Sequence, residues 1–121
     1  MFATPVDRTI HLARQRHAVV FLDTFICNAH TTAAAALWMG VSAITKPCQA
    51  FASRVAASLL NALGLDELIV KTNEDYVELA CRLAEGKSFF ISLKDKVVSN
   101  QQSTALFNTD DYTCALEHGF C

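Results

Sequence analysis

The sequence lacks the patterns that mark several classes of protein. No two cysteines have the C-x-x-C spacing of a zinc knuckle, and the five cysteines, an odd number, are irregularly spaced. No apolar run reaches the roughly 18 residues that a membrane-spanning helix needs, and the first residues lack the apolar core of a signal peptide. We therefore expect a soluble cytoplasmic protein with free thiols, no membrane partner and no metal site.

An excess of positive charge is also missing. The chain has 10 Lys and Arg against 12 Asp and Glu, a net charge of −2, which argues against a nucleic-acid partner. One local exception is "RTIHLARQRH", residues 8–17, which has three arginines, two histidines and no acid. Taken alone, such a stretch is usually a solvated helix face.

What the sequence does have is apolar residues. They make up 52% of the 121 residues, and charged residues make up 18%, which is typical of a globular chain with a core. No internal repeat or low-complexity linker divides the chain. We expect one domain over residues 1–121 that buries roughly two thirds of its unfolded surface.

Short apolar runs alternate with helical patterns along the first part of the chain. We predict strands at 18–23, 41–47 and 67–70, with helices at 31–40 and 49–64 between them. We predict the remaining helices at 7–17, 73–86, 87–101 and 109–120. This order predicts an α/β fold with a short parallel sheet flanked by helices and a helical C-terminus.

Helix ends and one helix face can also be predicted. Three polar residues stand where N-terminal caps are expected: Asp7, Asn73 and Thr109. Two glycines stand where the helices at 31–40 and 49–64 should end: Gly40 and Gly64. In the helix at 49–64, the spacing predicts a buried face of Phe51, Val55, Leu59 and Ala62.

The segment "DTFICNAHTTAAAALW", residues 23–38, is the strongest candidate for a binding site. It places five polar side chains at the start of a polyalanine helix: Cys27, Asn28, His30, Thr31 and Thr32. The loop follows a predicted strand, at the edge of the sheet where ligands of open α/β sheets bind. Free N–H groups and a partial positive charge at the helix start favour a phosphate.

Structural explanations compete with this interpretation. A surface turn accounts for Asn28, and Thr31 or Thr32 is equally well explained as a plain N-cap. His30 is as compatible with a bond to a loop carbonyl as with a ligand contact. Cys27 is more typical of a small buried hydrophobe than of a reactive thiol, and a metal pair with His30 has little support.

Three separated motifs resemble a known family. "FLDTFICNAHTTAAAALW", "ASRVAASLLNALGLDELIV" and "ALFNTDDYTCALE" resemble, in the same order, the C-terminal end of protein O-linked N-acetylglucosamine transferases, most closely the bacterial, SPINDLY-like type with tetratricopeptide repeats. The resemblance runs from about Phe2 to Glu117. It implies a partial Rossmann-like lobe of a GT-B fold that binds a UDP-sugar donor, in an enzyme that glycosylates Ser or Thr with inversion.

The resemblance also implies roles for individual residues. The family's "HTT" corresponds to His30, Thr31 and Thr32, which would hold the donor pyrophosphate. In the basic stretch, it implies that His11 stacks on the uracil, that Arg14 lies beside it and that Arg8 lies near the ribose. The remaining implied donor-binding residues are Val6, whose backbone would meet the uracil edge, and Cys27, which would approach the sugar.

Some family features are missing from this sequence. Ala35 stands where the family has an aspartate expected to contact the donor ribose, and Cys48 replaces a usual glycine. The N-terminal catalytic lobe and the lysine expected to stabilise the leaving diphosphate have no counterpart here. We therefore expect no catalytic residue, no metal or other cofactor, and no activity from this chain alone.

Two functions of different classes follow. The chain is either the UDP-N-acetylglucosamine-binding portion of such an enzyme, or a non-catalytic interaction module derived from that lobe. A third alternative, a redox or metal protein, has little support from the cysteine spacing. The protein acceptor would be held by regions outside this chain, and a sheet cut at its edge predicts a homo-oligomer, a partner chain or marginal stability.

Overall fold

The computed structural model describes residues 4–120, and within them it has six α-helices and two short strands. The helices are α1 (Arg8–Gln15), α2 (Thr31–Trp38), α3 (Val55–Ala62), α4 (Asn73–Glu85), α5 (Lys87–Ser103) and α6 (Thr109–Phe120). The strands are β1 (Phe21–Leu22) and β2 (Ala43–Ile44), and short 3₁₀ turns lie at Phe51–Ser53, Asp66–Leu68 and Ala105–Phe107.

The two strands form a parallel sheet, which confirms the α/β prediction. Phe21 pairs with Ala43 and Leu22 with Ile44, and α2 is the crossover between the strands. Both strands are shorter than the runs at 18–23 and 41–47 predicted from the sequence. In the described part of the chain, β1 has a neighbour on one side only, so its opposite edge is open.

The predicted third strand at 67–70 is wrong. Asp66–Leu68 forms a 3₁₀ turn, and only Ile69 makes a parallel bridge, to Thr45. The Thr45 N–H donates to the Leu68 carbonyl, and the Val70 N–H donates to the Thr45 carbonyl. The tight turn leaves a single residue extended beside β2, too few for a regular strand.

Helix α3 buries a different face from the one predicted. It begins at Val55, and Phe51 lies in the preceding 3₁₀ turn with 75% of its surface exposed. The buried residues of α3 are Ala56, Ala57 and Leu60. Because alanine side chains are small, this face allows α3 to approach α2 closely.

The C-terminal ends of α2 and α3 are as predicted. Gly40 has a φ of +78° and Gly64 a φ of +65°, the left-handed conformation that glycine adopts without strain. Each glycine lets the chain turn sharply into the buried segment that follows.

The predicted N-terminal caps of α4 and α6 are each wrong by one residue, and the predicted cap of α1 makes no side-chain bond within the described residues. In α4, the Thr72 hydroxyl accepts a hydrogen bond from the Asp75 N–H at 3.1 Å, so the cap precedes Asn73. The Asp7 side chain makes no capping bond to α1 within the described residues.

Helix α6 is capped in the same offset way. Asn108 Oδ1 accepts from the Asp111 N–H at 3.2 Å, and Thr109 is the first helical residue and not the cap. None of the described residues of α6 is buried.

The core lies between the sheet and the helices. Its largest fully buried apolar side chains are Leu37, Ile44, Leu60, Leu63, Leu65, Leu68, Leu83 and Val97. Over residues 4–120, no helix is both long and apolar enough to cross a bilayer.

Candidate functional site

The candidate site is the loop at 24–30 that connects β1 to α2. It leaves the carboxyl end of β1 and enters the first turn of α2 at Thr31. This is the edge of a parallel sheet at which α/β proteins bind ligands. The structure therefore places the predicted cluster where the sequence analysis expects it.

A buried carboxylate holds the loop in place. Asp23, which is 5% exposed, follows β1, and its Oδ1 accepts a hydrogen bond from the Ala29 N–H at 2.7 Å. Its Oδ2 accepts from the Thr45 hydroxyl at 2.6 Å. One side chain thus ties the far end of the loop to the end of β2.

Asn28 is the second buried polar group, and its assignment to a surface turn is wrong. It is 4% exposed, and its Nδ2 donates to the Thr24 carbonyl at 2.8 Å. Its backbone N–H donates to the Ala52 carbonyl at 2.7 Å, and its Oδ1 lies 3.4 Å from the Ala56 N–H in the first turn of α3. The amide therefore closes the loop on itself and joins it to α3.

The first turn of α2 has no side-chain cap within the described chain. His30 is the N-cap residue, and its side chain makes no capping bond, so the explanation of Thr31 or Thr32 as the N-cap is wrong. The first helical bond runs from the Ala34 N–H to the His30 carbonyl. Among residues 4–120, no acceptor bonds the N–H groups of Thr31, Thr32 and Ala33.

The side chains at this turn are open to solvent. His30, Thr31 and Thr32 are all exposed, and the His30 ring has no hydrogen-bond partner in the described region. The alternative prediction, that His30 bonds a loop carbonyl, is therefore wrong for the described residues. At the positive end of the helix dipole, the exposed residues are therefore His30, Thr31 and Thr32, with an imidazole, two hydroxyls and the unbonded N–H groups of the two threonines, whereas Ala33 is fully buried.

The His11 ring on α1 is held by its neighbours. The Arg14 guanidinium lies 2.9 Å from Nδ1, and the Gln15 amide nitrogen lies 3.0 Å from Nε2. Arginine only donates, so Nδ1 is the acceptor and Nε2 carries the hydrogen of the neutral ring. In the present orientation of the Gln15 amide, its Oε1 is buried without a hydrogen-bond partner. Rotation of this amide by 180° exchanges its nitrogen and oxygen, so that Oε1 accepts from the Nε2–H of His11.

The rest of α1 presents the other residues predicted to recognise the base and ribose. Arg14 also donates to the Thr4 carbonyl at 3.1 Å, and α1 packs against α2. Val6 is 41% exposed, and Arg8, the first residue of α1, is exposed too. Within the described residues, no hydrogen bond joins α1 to the loop at 24–30.

The cysteines support neither a metal site nor a buried role for Cys27. Cys27 is exposed, and so are Cys48, Cys81 and Cys114, all four unpaired. No group of three or more metal-binding side chains is present between residues 4 and 120. Cys121 lies outside the described residues.

Three residues that support the site were missed in the sequence: Asp23, Thr45 and Tyr76. Thr45 and Tyr76 both bond to Asp23, the hydroxyl of Tyr76 donating to the Asp23 carbonyl at 2.8 Å. Burial raises the pKa of Tyr76 above its ordinary value, and the nearby Asp23 charge raises it further. The sequence feature that could have revealed this network is Asp23 itself, a carboxylate directly after an apolar strand.

Grooves elsewhere in the described region are lined by residues outside the candidate site. One of about 540 Å³ is lined by Pro47, Arg54, Ala57, Ser58, Asn61, Asp66 and Ile69. The candidate site is an open surface at a helix terminus and not an enclosed cavity.

Comparison with protein families and known proteins identifies relatives. The model of glycosyl transferase family 41 matches residues 1–116. The chain is 38% identical over 97% of its length to a Caenorhabditis elegans UDP-N-acetylglucosamine–peptide N-acetylglucosaminyltransferase, and 36% identical over 99% of its length to a probable enzyme of that name, SEC, from Arabidopsis thaliana. It is 32% identical over 84% of its length to the probable enzyme SPINDLY from Hordeum vulgare. The chain covers 10%, 12% and 11% of these three proteins.

A solved structure has the same fold. A mutant O-GlcNAc transferase from Thermobaculum terrenum matches with a TM-score of 0.87 and 31% identity, over 98% of this chain and 23% of that one. The prediction of part of a GT-B lobe is confirmed by this match. Since the family model spans nearly the whole sequence and the fold agrees, the chain belongs to glycosyl transferase family 41.

Proposed function

We propose that this chain is the part of a protein O-GlcNAc transferase that binds the donor, UDP-N-acetylglucosamine. The curated relatives named above carry that activity in their names, and the chain spans about a tenth of their length. In the complete enzyme, the sugar would pass to a Ser or Thr hydroxyl with inversion.

The observation that carries the proposal is the open first turn of α2. The N–H groups of Thr31, Thr32 and Ala33 have no acceptor among the described residues, and the two threonine hydroxyls beside them are exposed. A diphosphate supplies the acceptors and the negative charge that this turn lacks. His30 adds a further N–H donor.

Helix α1 would bind the nucleoside. Because Arg14 and Gln15 hold both nitrogens of His11, the ring edge is occupied and a base would stack on its face. Arg14 would lie beside the uracil, Val6 would meet its edge through the backbone, and Arg8 would lie near the ribose. Cys27 is exposed on the loop, where it would approach the sugar.

We propose no catalysis by this chain alone. A single lobe leaves the sugar in water and holds no acceptor, whereas group transfer needs both reactants positioned and shielded. The protein acceptor and the groups that assist the leaving diphosphate would come from regions that the relatives have and this chain does not cover. A cytoplasmic location remains a prediction.

Ala35 favours a second candidate, a non-catalytic interaction module. Its side chain cannot make the hydrogen bond expected of the family's aspartate at that position. The loss of a hydrogen bond to a charged group typically costs about 1.5–3 kcal/mol, or tenfold or more in affinity. Weak or absent donor binding is therefore the result that would favour the module.

Calorimetric titration with UDP tests the two candidates. We expect binding of UDP but not of uridine, because the diphosphate makes the contacts to α2. Thr31→Val combined with Thr32→Val should weaken UDP binding by about tenfold while the circular dichroism spectrum stays unchanged. Thr109→Val, at the exposed start of α6, is the matched control.

The absence of binding at millimolar UDP would reject the donor-binding proposal and favour the interaction module. Equal binding of UDP and uridine would move the site away from the helix terminus. We expect no transfer of labelled sugar to a peptide by this chain alone.

A further inference from the structure

We propose that Asp23 is a positioning residue for the diphosphate site. Its carboxylate fixes the direction in which the loop at 24–30 enters α2, and so aims the N–H groups of Thr31 and Thr32. The inference rests on the proposed function, since it assigns to those groups a bound diphosphate.

The two carboxylate oxygens have different partners on different elements. Oδ1 accepts from Ala29, two residues before α2 begins, and Oδ2 accepts from Thr45, which is fully buried directly after β2. Thr45 is itself fixed by backbone bonds to Leu68 and Val70. Asp23 therefore connects the entrance of α2 to a residue beside the sheet that is itself held by two backbone hydrogen bonds.

The carbonyl of Asp23 is held from a third direction. Tyr76 of α4, 8% exposed, donates its hydroxyl to that oxygen, and its ring lies edge-on to Phe25 of the loop, with ring centres 4.9 Å apart. The end of β1 is thus fixed by a side chain from another layer of the fold. Rotation of the Asp23 backbone would break this bond.

The Ala29 bond separates the one N–H group at the helix entrance that is already bonded from those that have no acceptor in the described residues. Asp23 takes up the N–H of Ala29, and the N–H groups that follow, those of His30, Thr31 and Thr32, lack an acceptor in residues 4–120. A ligand would therefore meet the N–H groups at the start of α2 and not that of Ala29. If Ala29 were released, the loop could rotate, and the first turn would lose its fixed direction.

A carboxylate near an anion site is electrostatically unfavourable, which makes the asparagine variant informative. In Asp23→Asn, the amide oxygen can still accept from Ala29, and the amide nitrogen can donate to the Thr45 hydroxyl, which also accepts. The geometry is kept and the negative charge is removed. In Asp23→Ala, both bonds are lost.

The experiment combines UDP calorimetry with ¹H–¹⁵N spectra of the whole chain recorded without ligand. We expect Asp23→Ala to weaken UDP binding by about tenfold or more, because misdirected donors lose most of their contribution. Its spectrum should show shifted amides at 29–33 and faster exchange at Ala29. Asp23→Asn should bind UDP within about threefold of the unaltered chain and keep the Ala29 amide protected.

Leu83→Ala is the control for a general loss of stability. Leu83 is buried in α4, about two helical turns after Tyr76, and its truncation should destabilise the fold while leaving UDP affinity and the amides at 29–33 unchanged. If Asp23→Ala does not fold, Thr45→Val replaces it, since it removes only the Oδ2 partner. We expect about threefold weaker binding from it.

The proposal is overturned if folded Asp23→Ala binds UDP as the unaltered chain does, or if Leu83→Ala weakens binding equally. If the unaltered chain does not bind UDP, the proposed function fails, and the spectra alone decide the positioning role. Shifted amides at 31–33 in Asp23→Ala would then support it, and unchanged amides would reject it.

Discussion

Tyr76 shows how one buried hydroxyl links distant parts of the chain. It lies on α4, and it bonds the carbonyl of a residue 53 positions earlier, at the end of β1. The bond pairs a hydroxyl and a carbonyl that both belong to buried residues, which is why the burial of a tyrosine is tolerated here. Its raised pKa follows from the same burial.

This raised pKa predicts a pH dependence of stability. Below about pH 10, Tyr76 is protonated in both the folded and unfolded states, and its contribution is complete. As the pH rises above 10, the unfolded state loses the proton first, so the free energy of unfolding falls until the pH passes the raised folded-state pKa. Denaturant unfolding from about pH 8 to about pH 11, about two units below to about one unit above the pKa of ordinary tyrosine, measures the effect.

In Tyr76→Phe, this alkaline loss of stability should be missing, and stability at neutral pH should be about 1 kcal/mol lower because the hydrogen bond is gone. Tyr112→Phe, which alters an exposed tyrosine of α6, is the control and should match the unaltered chain. Identical alkaline profiles for Tyr76→Phe and the unaltered chain would contradict the assignment.

At the scale of elements, α2 combines a buried face with an open end. Ala33, Ala36 and Leu37 are buried, and the small alanines let the helix lie close to α3 and β2. A helix whose first turn were capped by its own side chain would have fewer donors for a ligand. The packing and the binding property therefore depend on different parts of the same eight-residue helix.

Helix α4 has the side-chain cap that α2 lacks, and this allows a direct test of capping. Thr72→Ala should lower the free energy of unfolding by about 1 kcal/mol, because the Asp75 N–H loses its acceptor. Thr72→Ser keeps the hydroxyl and should stay near the unaltered value. Urea unfolding at constant pH measures both.

Asp7→Ala is the matched control for the cap of α4. Asp7 occupies the corresponding position before α1 but makes no capping bond within the described residues, so its removal should change stability by less than about 0.5 kcal/mol. Equal losses for Thr72→Ala and Asp7→Ala would contradict the assignment of the Thr72→Ala loss to the capping hydrogen bond.

At the scale of the whole molecule, several apolar surfaces have no partner among residues 4–120. The outer side of β1 is open, and Leu22 is 53% exposed. On α6, Tyr112, Leu116 and Phe120 are spaced four residues apart and are all exposed. A 12-residue helix without buried contacts is at the lower limit of stability in water, which favours a covering surface.

We therefore expect the isolated chain to self-associate or to unfold at low denaturant. Light scattering coupled to size exclusion should show species larger than the monomer, and Leu116→Gln with Phe120→Gln should shift them toward the monomer. Val77→Gln, at an exposed valine of α4, is the control and should not. A monomeric unaltered chain that melts at high temperature would contradict this expectation.

Local patterns in the sequence determined much of this protein. The helices, the turns at Gly40 and Gly64, and the position of His30, Thr31 and Thr32 at the start of α2 all follow from features within a few neighbouring residues. Dihedral preferences and periodicity act over that same short range, so they can be recognised without knowledge of the fold.

Only the tertiary structure decided the contacts that hold the site. The bond of Asp23 to Thr45 spans 22 residues, and its bond to Tyr76 spans 53. The burial of Asn28, the reduction of the third strand to Ile69 and the buried face of α3 likewise depend on what packs beside them. Hydrogen-bond partners and burial are properties of neighbours in space, and those neighbours exist only once the chain has folded.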